Sequence, residues 1–276
     1  METGNPNLKP TTVQNFDLGV SFYSNELGLL TIGGFTKKLD NESFPVTIFY
    51  KFHSNYNVPV PDSALWVDYQ LLPPLGTTPL TTIVNNNHPG YIRGLEIDWQ
   101  TNFWYLPKPF NSLVLDINYT KSMSEMDYHQ IIPHDSSYID DHHRKITVYY
   151  NTDTVRTARL LHQADDVLNA ALGIDYKGFS GRISFNLQGN VITYIDAQGR
   201  PETDRYTGNI YRWDFTLKQE LPIDGLSLAI NGINIFHNPI YTYQKFRRNV
   251  DAPITENLQS VLYSPTIFQA NLRYSF

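Results

Sequence analysis

The chain of 276 residues contains no cysteine, few charged residues and no long apolar run. Without cysteine, disulfide bonds, thiolate metal sites and cysteine nucleophiles are excluded. The longest apolar runs are a few residues, whereas a membrane-spanning helix needs about 18, so a helical membrane protein is excluded. The net charge of −6 provides no basic surface for nucleic acid. Charged residues make up only 17% of the chain.

Aromatic residues are abundant instead, with 19 Tyr, 15 Phe and 4 Trp, although the mean hydropathy is only −0.35. In residues 211–221, aromatic and aliphatic side chains alternate almost strictly with polar ones. This period of two predicts a strand with one apolar face. The same pattern predicts nine strands, near residues 16–22, 29–36, 95–103, 113–119, 168–176, 179–190, 211–221, 226–236 and 268–276.

Short and long connections alternate between these nine strands. The short ones carry Asn, Gly, Asp or Pro, which are typical of tight turns. The long ones fall near residues 41–90, 125–163, 196–208 and 238–262. This alternation predicts an antiparallel meander with every short turn at one end and every long loop at the other. Outer-membrane barrels have this asymmetry and expose the apolar face of each strand to lipid. The predicted fold is therefore an all-β, antiparallel transmembrane β-barrel meander, with a soluble β-sandwich as the alternative.

Several segments, in order along the chain, resemble one family. Residues 4–12 read GNPNLKPTT, similar to the family's "GNP-x-LKP" loop. Residues 231–236 read NGINIF, similar to its "NxxNLF" penultimate strand, and residues 271–276 look like its terminal strand. The chain thus resembles the C-terminal barrel part of TonB-dependent outer-membrane receptors.

The resemblance implies a transporter rather than an enzyme. Members are 22-stranded barrels with an N-terminal plug, and they import iron-chelates, cobalamin, or glycan and peptide fragments with energy from TonB. We therefore expect residues 1–276 to be a partial barrel domain, open as a fragment, that lacks the signal peptide, the plug and the N-terminal strands. The implied partners are outer-membrane lipid, the insertion machinery, the missing plug and strands, TonB through that plug, and the nutrient.

Other functions stay open at this point. A smaller outer-membrane barrel acting as a porin or adhesin fits the pattern, as does a soluble β-sandwich binding module. The sequence contains neither Gly-x-Ser-x-Gly nor His-Glu-x-x-His, so we expect no hydrolytic activity and no cofactor. The resemblance implies a periplasmic C-terminus and extracellular long loops. It also implies an assembly signal in the last strand, at Leu272, Tyr274 and Phe276.

Three further groups of residues are candidates for function. Charged residues on the polar faces of strands are expected to form the lumen wall, where they contact a plug or compensate one another. These are Arg182, Arg212, Asp214, Lys218 and Glu220. Aromatic residues and a cation in the long loops are candidate ligand contacts, because aromatic rings stack on sugars and arginine pairs with anionic chelates. These are Trp66, Tyr138, Tyr206, Tyr241, Tyr243 and Arg247.

Four histidines near residues 125–144 are weak candidates for a metal site, because imidazole suits Zn and other divalent ions. Their spacing matches no closed zinc site, and the alternative is a solvated external loop. These histidines are His129, His134, His142 and His143.

Overall fold

A computed structural model of the chain describes residues 5–50, 78–196, 200–248 and 251–275. Over these residues the protein is built of β-strands, with single 3₁₀ turns at Phe110–Ser112 and Pro201–Thr203. None of its described helices has the length and apolar character needed to cross a membrane. The strands of the described part are β1 (Thr12–Ser24), β2 (Gly28–Asp40), β3 (Ser43–Tyr50), β4 (Thr78–Asn85), β5 (Gly90–Asn102), β6 (Leu113–Ile139), β7 (Lys145–Ala158), β8 (Asp166–Tyr176), β9 (Phe179–Gln188), β10 (Val191–Tyr194), β11 (Arg205–Thr207), β12 (Ile210–Glu220), β13 (Leu226–Ile233), β14 (Ile240–Phe246), β15 (Thr255–Leu262) and β16 (Ile267–Tyr274).

The main sheet is an antiparallel meander in the order β1-β2-β5-β6-β8-β9-β12-β13-β16. Each of the nine predicted strands corresponds to one of these, so the predicted fold class and strand count are confirmed. Strand β7 adds a tenth member by pairing with the far half of β6. Among the described residues, β1 and β16 are each hydrogen-bonded on one side only. The sheet is therefore an open partial barrel.

The register places most of the apolar residues of the nine meander strands on one face. Across β8, β9 and β12, for example, Leu172 lies opposite Ile183, which lies opposite Phe215. This face is exposed, with 69% of Leu18 and 62% of Leu95 accessible. A contiguous exposed apolar surface of this extent indicates contact with lipid or a partner. In a soluble sandwich, a second sheet covers this face, and no described strand does so.

Tight turns join the strands at one end of the meander. The link between β8 and β9 consists of Lys177 and Gly178, with φ of 48° and 77°. Two positive φ angles define a type I′ hairpin, whose twist matches that of the flanking strands. Gly28 begins β2 at φ 76°, where an added Cβ comes within 2.1 Å of the Gln100 carbonyl oxygen. These short connections lie where the sequence predicts them.

The long connections at the other end contain further strands, which the sequence analysis did not predict. Strand β6 continues to Ile139 and pairs with β7 as a long hairpin. From Met126 to Ile139 this hairpin extends roughly 45 Å. Strands β3 and β4 form a second hairpin, and β10-β11-β14-β15 form a separate sheet. Residues 126–139 read MDYHQIIPHDSSYI, which has no clean period-two alternation, so sequence pattern could not reveal the strand.

The buried core lies among these loop-side elements rather than within the meander. Its side chains come from β3, β4, β6 and the segments after β7 and β10, and they are Phe44, Val84, Met126, Tyr128, Leu160 and Ile195. The side chains of two asparagines connect the segments of this region by hydrogen bonds. Asn85 accepts a hydrogen bond from the Lys9 amide at 2.7 Å and donates to the Asn41 carbonyl at 2.8 Å. Asn86 donates to the Asp127 carbonyl at 2.7 Å. The loop side is therefore a packed layer.

Candidate functional site

The polar face of the main sheet carries the five charged residues predicted for the lumen wall. They lie opposite the apolar face, and several of them are paired. The Arg182 guanidinium donates to both Asp175 oxygens, at 2.7 and 3.0 Å. Arg212 Nε donates to Asp214 at 2.9 Å. The polar wall thus compensates its own charges in part.

Asp214 also fixes the backbone at the end of β13. One of its oxygens accepts the Asn234 amide at 2.9 Å, and Asn234 adopts a left-handed φ of 52°. The Asn234 side chain donates to the Ser264 carbonyl at 2.9 Å, which ties this turn to the start of β16. Asp214 therefore positions backbone as well as carrying charge on the polar face.

A polar depression of about 350 Å³ lies at the short-turn end of this face. Lys218 and Glu220 from β12 line it together with Arg273 from β16. Two of the predicted lumen residues thus meet in one concave surface. Arg273 was not among the predicted residues, although it alternates with the apolar Leu272 and Tyr274 in the same strand.

On the loop side, three predicted ligand-contact tyrosines come together as a tyrosine ladder of Tyr206, Tyr243 and Tyr241. Tyr206 on β11 lies directly opposite Tyr243 on β14, and their rings stack with centroids 5.4 Å apart. Tyr241, two residues before Tyr243 on the same face, stacks on it at 6.2 Å. Gly208 lies beside Tyr243, where an added Cβ comes within 3.1 Å of the ring.

The Tyr206 hydroxyl is buried at one end of the ladder, whereas Tyr241 is exposed at the other. Burial raises the pKa of the Tyr206 hydroxyl well above its ordinary value, and the nearby Glu256 carboxylate adds to the rise. This hydroxyl therefore stays protonated at physiological pH. Tyr241 is 37% exposed at the other end, which leaves aromatic surface open to a ligand.

A buried ion pair supports the sheet that carries the ladder. Arg156 on β7 donates from one nitrogen to both oxygens of Asp204 at 2.8 Å, and their side chains are only 17% and 11% exposed. Asp204 also accepts the Asp196 amide at 3.0 Å. Its carbonyl accepts the Lys245 amide. These contacts link the β6–β7 hairpin to β10, β11 and β14. Sequence reasoning missed both residues, which lie 48 positions apart with no periodic signal.

The remaining predicted ligand contacts are not part of the ladder. Tyr138 is exposed near the tip of the β6–β7 hairpin. Arg247 follows β14, four residues beyond Tyr243, at about 13 Å along the strand direction. Trp66 lies outside the described residues. The structure thus assembles three of the six predicted residues.

The four candidate metal histidines are spread along the β6–β7 hairpin. His129 lies on β6 near the base of the hairpin and packs against His88, with ring centroids 5.0 Å apart. His142 and His143 lie in the turn at the tip of the hairpin. His142 lies 13 positions after His129, and the part of β6 from His129 to Ile139 alone extends about 34 Å. His134 lies on β6 between them. Among the described residues, no three acidic or histidine side chains group as metal ligands do.

Residues 1–235 match a protein family described as TonB dependent receptor-like, beta-barrel. The chain belongs to this family. Comparison with curated proteins found no match, and comparison with solved structures found none either. At the level of the family, TonB-dependent receptors are outer-membrane receptors for transport, which agrees with the expected class.

Membership in the TonB-dependent receptor family indicates which surroundings each face of the meander contacts. In outer-membrane barrels the apolar face contacts lipid and the polar face lines the interior. Residues 236–276, which include β14 to β16, lie beyond the matched range. Leu272 and Tyr274 of the predicted assembly signal lie in β16 and are 67% and 53% exposed. Phe276 lies outside the described residues.

Proposed function

We propose that this chain forms part of the barrel of an outer-membrane transporter that takes up a scarce nutrient, such as an iron-chelate or another large ligand, with energy from TonB. In this proposal residues 1–276 supply nine consecutive strands, and the rest of the receptor supplies the plug and the other strands. TonB acts through the plug, and transport rather than catalysis is the activity.

One observation carries the proposal. The apolar face is continuous across nine strands, and the polar face is continuous on the other side. A one-residue slip in any pair of strands places its apolar side chains on the opposite face. Eight successive pairings in a consistent register are what a lipid-facing wall needs. The open edges at β1 and β16 fit a wall that other strands complete.

The proposed ligand surface is the tyrosine ladder on the loop side. Exposed tyrosine rings offer flat apolar area and hydroxyl groups, which suits sugar rings and aromatic chelators. The polar depression formed by Lys218, Glu220 and Arg273 lies at the opposite end of the barrel wall. We assign that depression to contact with the plug.

We further propose that the loop side faces outward and that the C-terminus is periplasmic. Because residues 1–276 contain no cysteine, single cysteines introduced here report this topology against the unsubstituted receptor as the blank. Asn25→Cys lies in the short turn between β1 and β2, and His142→Cys lies at the tip of the β6–β7 hairpin. In intact cells that express the full receptor, a membrane-impermeant maleimide should label the hairpin variant and spare the turn variant. Labelling of the turn variant alone reverses the orientation.

Energised transport is tested by depleting TonB in the same cells. Uptake of labelled candidate nutrients, namely iron-chelates, cobalamin and oligosaccharides, should fall to background for the nutrient that the receptor imports. Uptake that persists without TonB indicates a porin instead. Binding at the cell surface without any uptake indicates an adhesin.

A further inference from the structure

The loop-side sheet β10-β11-β14-β15 repeats the order of the last four wall strands, β9-β12-β13-β16. Two residues separate β9 from β10 and β11 from β12, six separate β13 from β14, and four separate β15 from β16. Every pairing among these wall strands has a counterpart on the loop side, where β10 pairs with β11, β11 with β14, and β14 with β15. Four neighbouring wall strands therefore continue as neighbours into the loop layer.

Strand β15 is the outer strand of this loop-side sheet. Among the described residues it pairs with β14 alone. Its outer edge continues the outer edge of β16, because residues 263–266 connect the two strands directly. The edge of β16 is where the rest of the receptor closes the wall in the proposed function. The outer edges of β15 and β16 therefore form one continuous border.

The outer edge of β15 lacks the features that keep a water-facing edge from pairing with another strand. Native proteins blunt such edges with lysine, with proline or by making the strand very short. Strand β15 has eight residues, TENLQSVL, with neither lysine nor proline among them. Its one register shift lies opposite Thr242 and Tyr243, and it leaves residues 255–258 in regular pairing. An edge of this kind is typical of a strand that a neighbour covers.

The opposite edge of the same sheet is short and covered. Strand β10 has only four residues. Its Ile192 carbonyl accepts the His162 amide at 2.9 Å, and Val191 is buried. On β15, by contrast, Leu258 and Leu262 are 53% and 62% exposed. The described residues therefore cover one edge of this sheet and leave the other open.

The open edge ends a row of side chains that contains two rings of the tyrosine ladder. Ile192, Tyr206, Tyr243 and Leu258 lie opposite one another across the four strands. Ile192 packs against the buried core, whereas Leu258 is exposed. Residues directly opposite each other on antiparallel strands share a face of the sheet. A strand beside β15 therefore places one of its own side chains next to Leu258.

We propose that the strand that closes the barrel wall at β16 continues into the loop layer, pairs with β15 as well, and adds a fifth side chain to the row that ends at Leu258. Strands β15 and β16 both run from the loop side toward the short turns, so an antiparallel neighbour meets β16 first and β15 next. The ligand surface is then completed by a residue from the rest of the receptor. This pairing rests on the proposed closure of the wall.

Amide hydrogen exchange in the full receptor, resolved to single residues, tests the pairing. Successive residues of a strand direct their N–H groups to opposite edges, so every second amide of an open edge strand faces water and exchanges fast. A strand with a neighbour on each side protects all of its amides. We expect the consecutive amides of Glu256, Asn257 and Leu258 to exchange at least 100-fold more slowly than those of an unstructured peptide. Fast exchange at every second residue overturns the proposal.

Strand β16 is the internal reference in the same measurement. Protection of the consecutive amides of Ala270, Asn271 and Leu272 reports closure of the wall. If β16 is protected throughout and β15 alternates, the pairing with β15 is overturned, whereas the proposed closure stands. If both strands alternate, the proposed closure fails as well. The two proposals can thus be told apart.

Photo-crosslinking in cells that express the full receptor identifies the neighbour. Benzoylphenylalanine in place of Leu258 in β15, or of Ala270 in β16, should capture one and the same strand of the receptor besides β14 or β13. The residue captured from position 258 should lie about 12 residues after the one captured from position 270, because antiparallel strands advance at the same rise per residue. Benzoylphenylalanine in place of Thr242, one strand inside the edge, is the control and should capture only β11 or β15.

The captured peptide decides between the possible neighbours of β15. Capture of a separate polypeptide from position 258 overturns the proposal and makes the edge a docking site for another protein. Capture of different strands of the receptor from positions 258 and 270 also overturns it, because a single closing strand then does not reach both edges.

Discussion

The Tyr206 and Tyr243 rings stack across β11 and β14 with centroids 5.4 Å apart and planes inclined by 22°. Tyr241 continues the row at a similar inclination of 28°. The two strands belong to a sheet separate from the barrel wall, so the ladder is held by the loop layer. Its position depends on cross-strand register and on the buried contacts beneath it.

Substitution of the central ring is the first prediction. Tyr243→Ala removes both stacking contacts and should raise the KM for uptake about two- to tenfold, since an aromatic contact contributes about 0.5–1.5 kcal/mol. Uptake kinetics with the imported nutrient measure the effect. Tyr23→Ala, which removes an exposed tyrosine at the short-turn end of β1, is the control. An unchanged KM for Tyr243→Ala contradicts a role for the ladder in ligand binding.

The barrel wall could be predicted from sequence because each of its strands carries a local pattern of alternating apolar and polar residues. Each meander strand has one lipid-facing side, so apolar and polar residues alternate over the whole span, as in Ile210–Glu220. The loop-side strands lack this constraint because they pack against one another rather than against lipid. Strand β11 is only three residues long, and its partner β14 begins 33 positions after β11 ends. Such pairing depends on tertiary contacts that a local pattern does not record.

In the candidate site, too, the local sequence predicts some features, whereas others depend on tertiary contacts. Tyr206, Tyr241 and Tyr243 could be singled out as loop aromatics, but only the register of β11 and β14 shows that they form one row. The Arg156–Asp204 pair was missed entirely, because a charged residue in a long loop has the same sequence signal whether exposed or buried. Burial of this pair is a product of the packed loop layer.

Breaking that pair is the second prediction. Asp204→Ala leaves the Arg156 guanidinium buried without its carboxylate, which typically costs about 3–5 kcal/mol. We expect the loss as local opening of β11 and β14, measured by native-state hydrogen exchange. The control is Glu125→Gln, because its exposed pair with Arg93 contributes at most about 1 kcal/mol. Equal effects of the two variants contradict the distinction between buried and exposed pairs.

A charge on the apolar face provides the third prediction. Ile183 lies on that face near the middle of β9 and is 41% exposed. Ile183→Arg should destabilise the folded barrel by about 2–4 kcal/mol, since arginine is costly at the bilayer midplane. Ser184→Arg places the same side chain on the polar face, opposite Asp214, and should cost less than 1 kcal/mol. Urea titration of the receptor in lipid vesicles compares them. The reverse order contradicts the assignment of the faces.

The tip of the β6–β7 hairpin gives a fourth prediction, on pH. Asp140 accepts the Arg144 amide at 2.8 Å, the Arg144 Nε at 2.8 Å and the His142 amide at 2.9 Å. The Arg144 amide, followed by the Arg144 guanidinium and the His142 amide, lowers the pKa of Asp140 below its ordinary 3.8. A lowered carboxyl pKa stabilises the folded tip above the ordinary value. That stability is lost as pH falls through the lowered pKa.

The amide proton shift of Arg144, followed by NMR from pH 7 to pH 2, reports this titration. We expect a constant shift down to about pH 5 and a midpoint below 3.8, because the amide loses its charged acceptor only when Asp140 is protonated. Asp140→Asn should abolish the transition, since an amide side chain does not titrate. Asp141→Asn, one residue along the same turn, should leave it in place. A midpoint at or above 3.8 in the unmodified receptor contradicts the hydrogen-bonded turn as the cause.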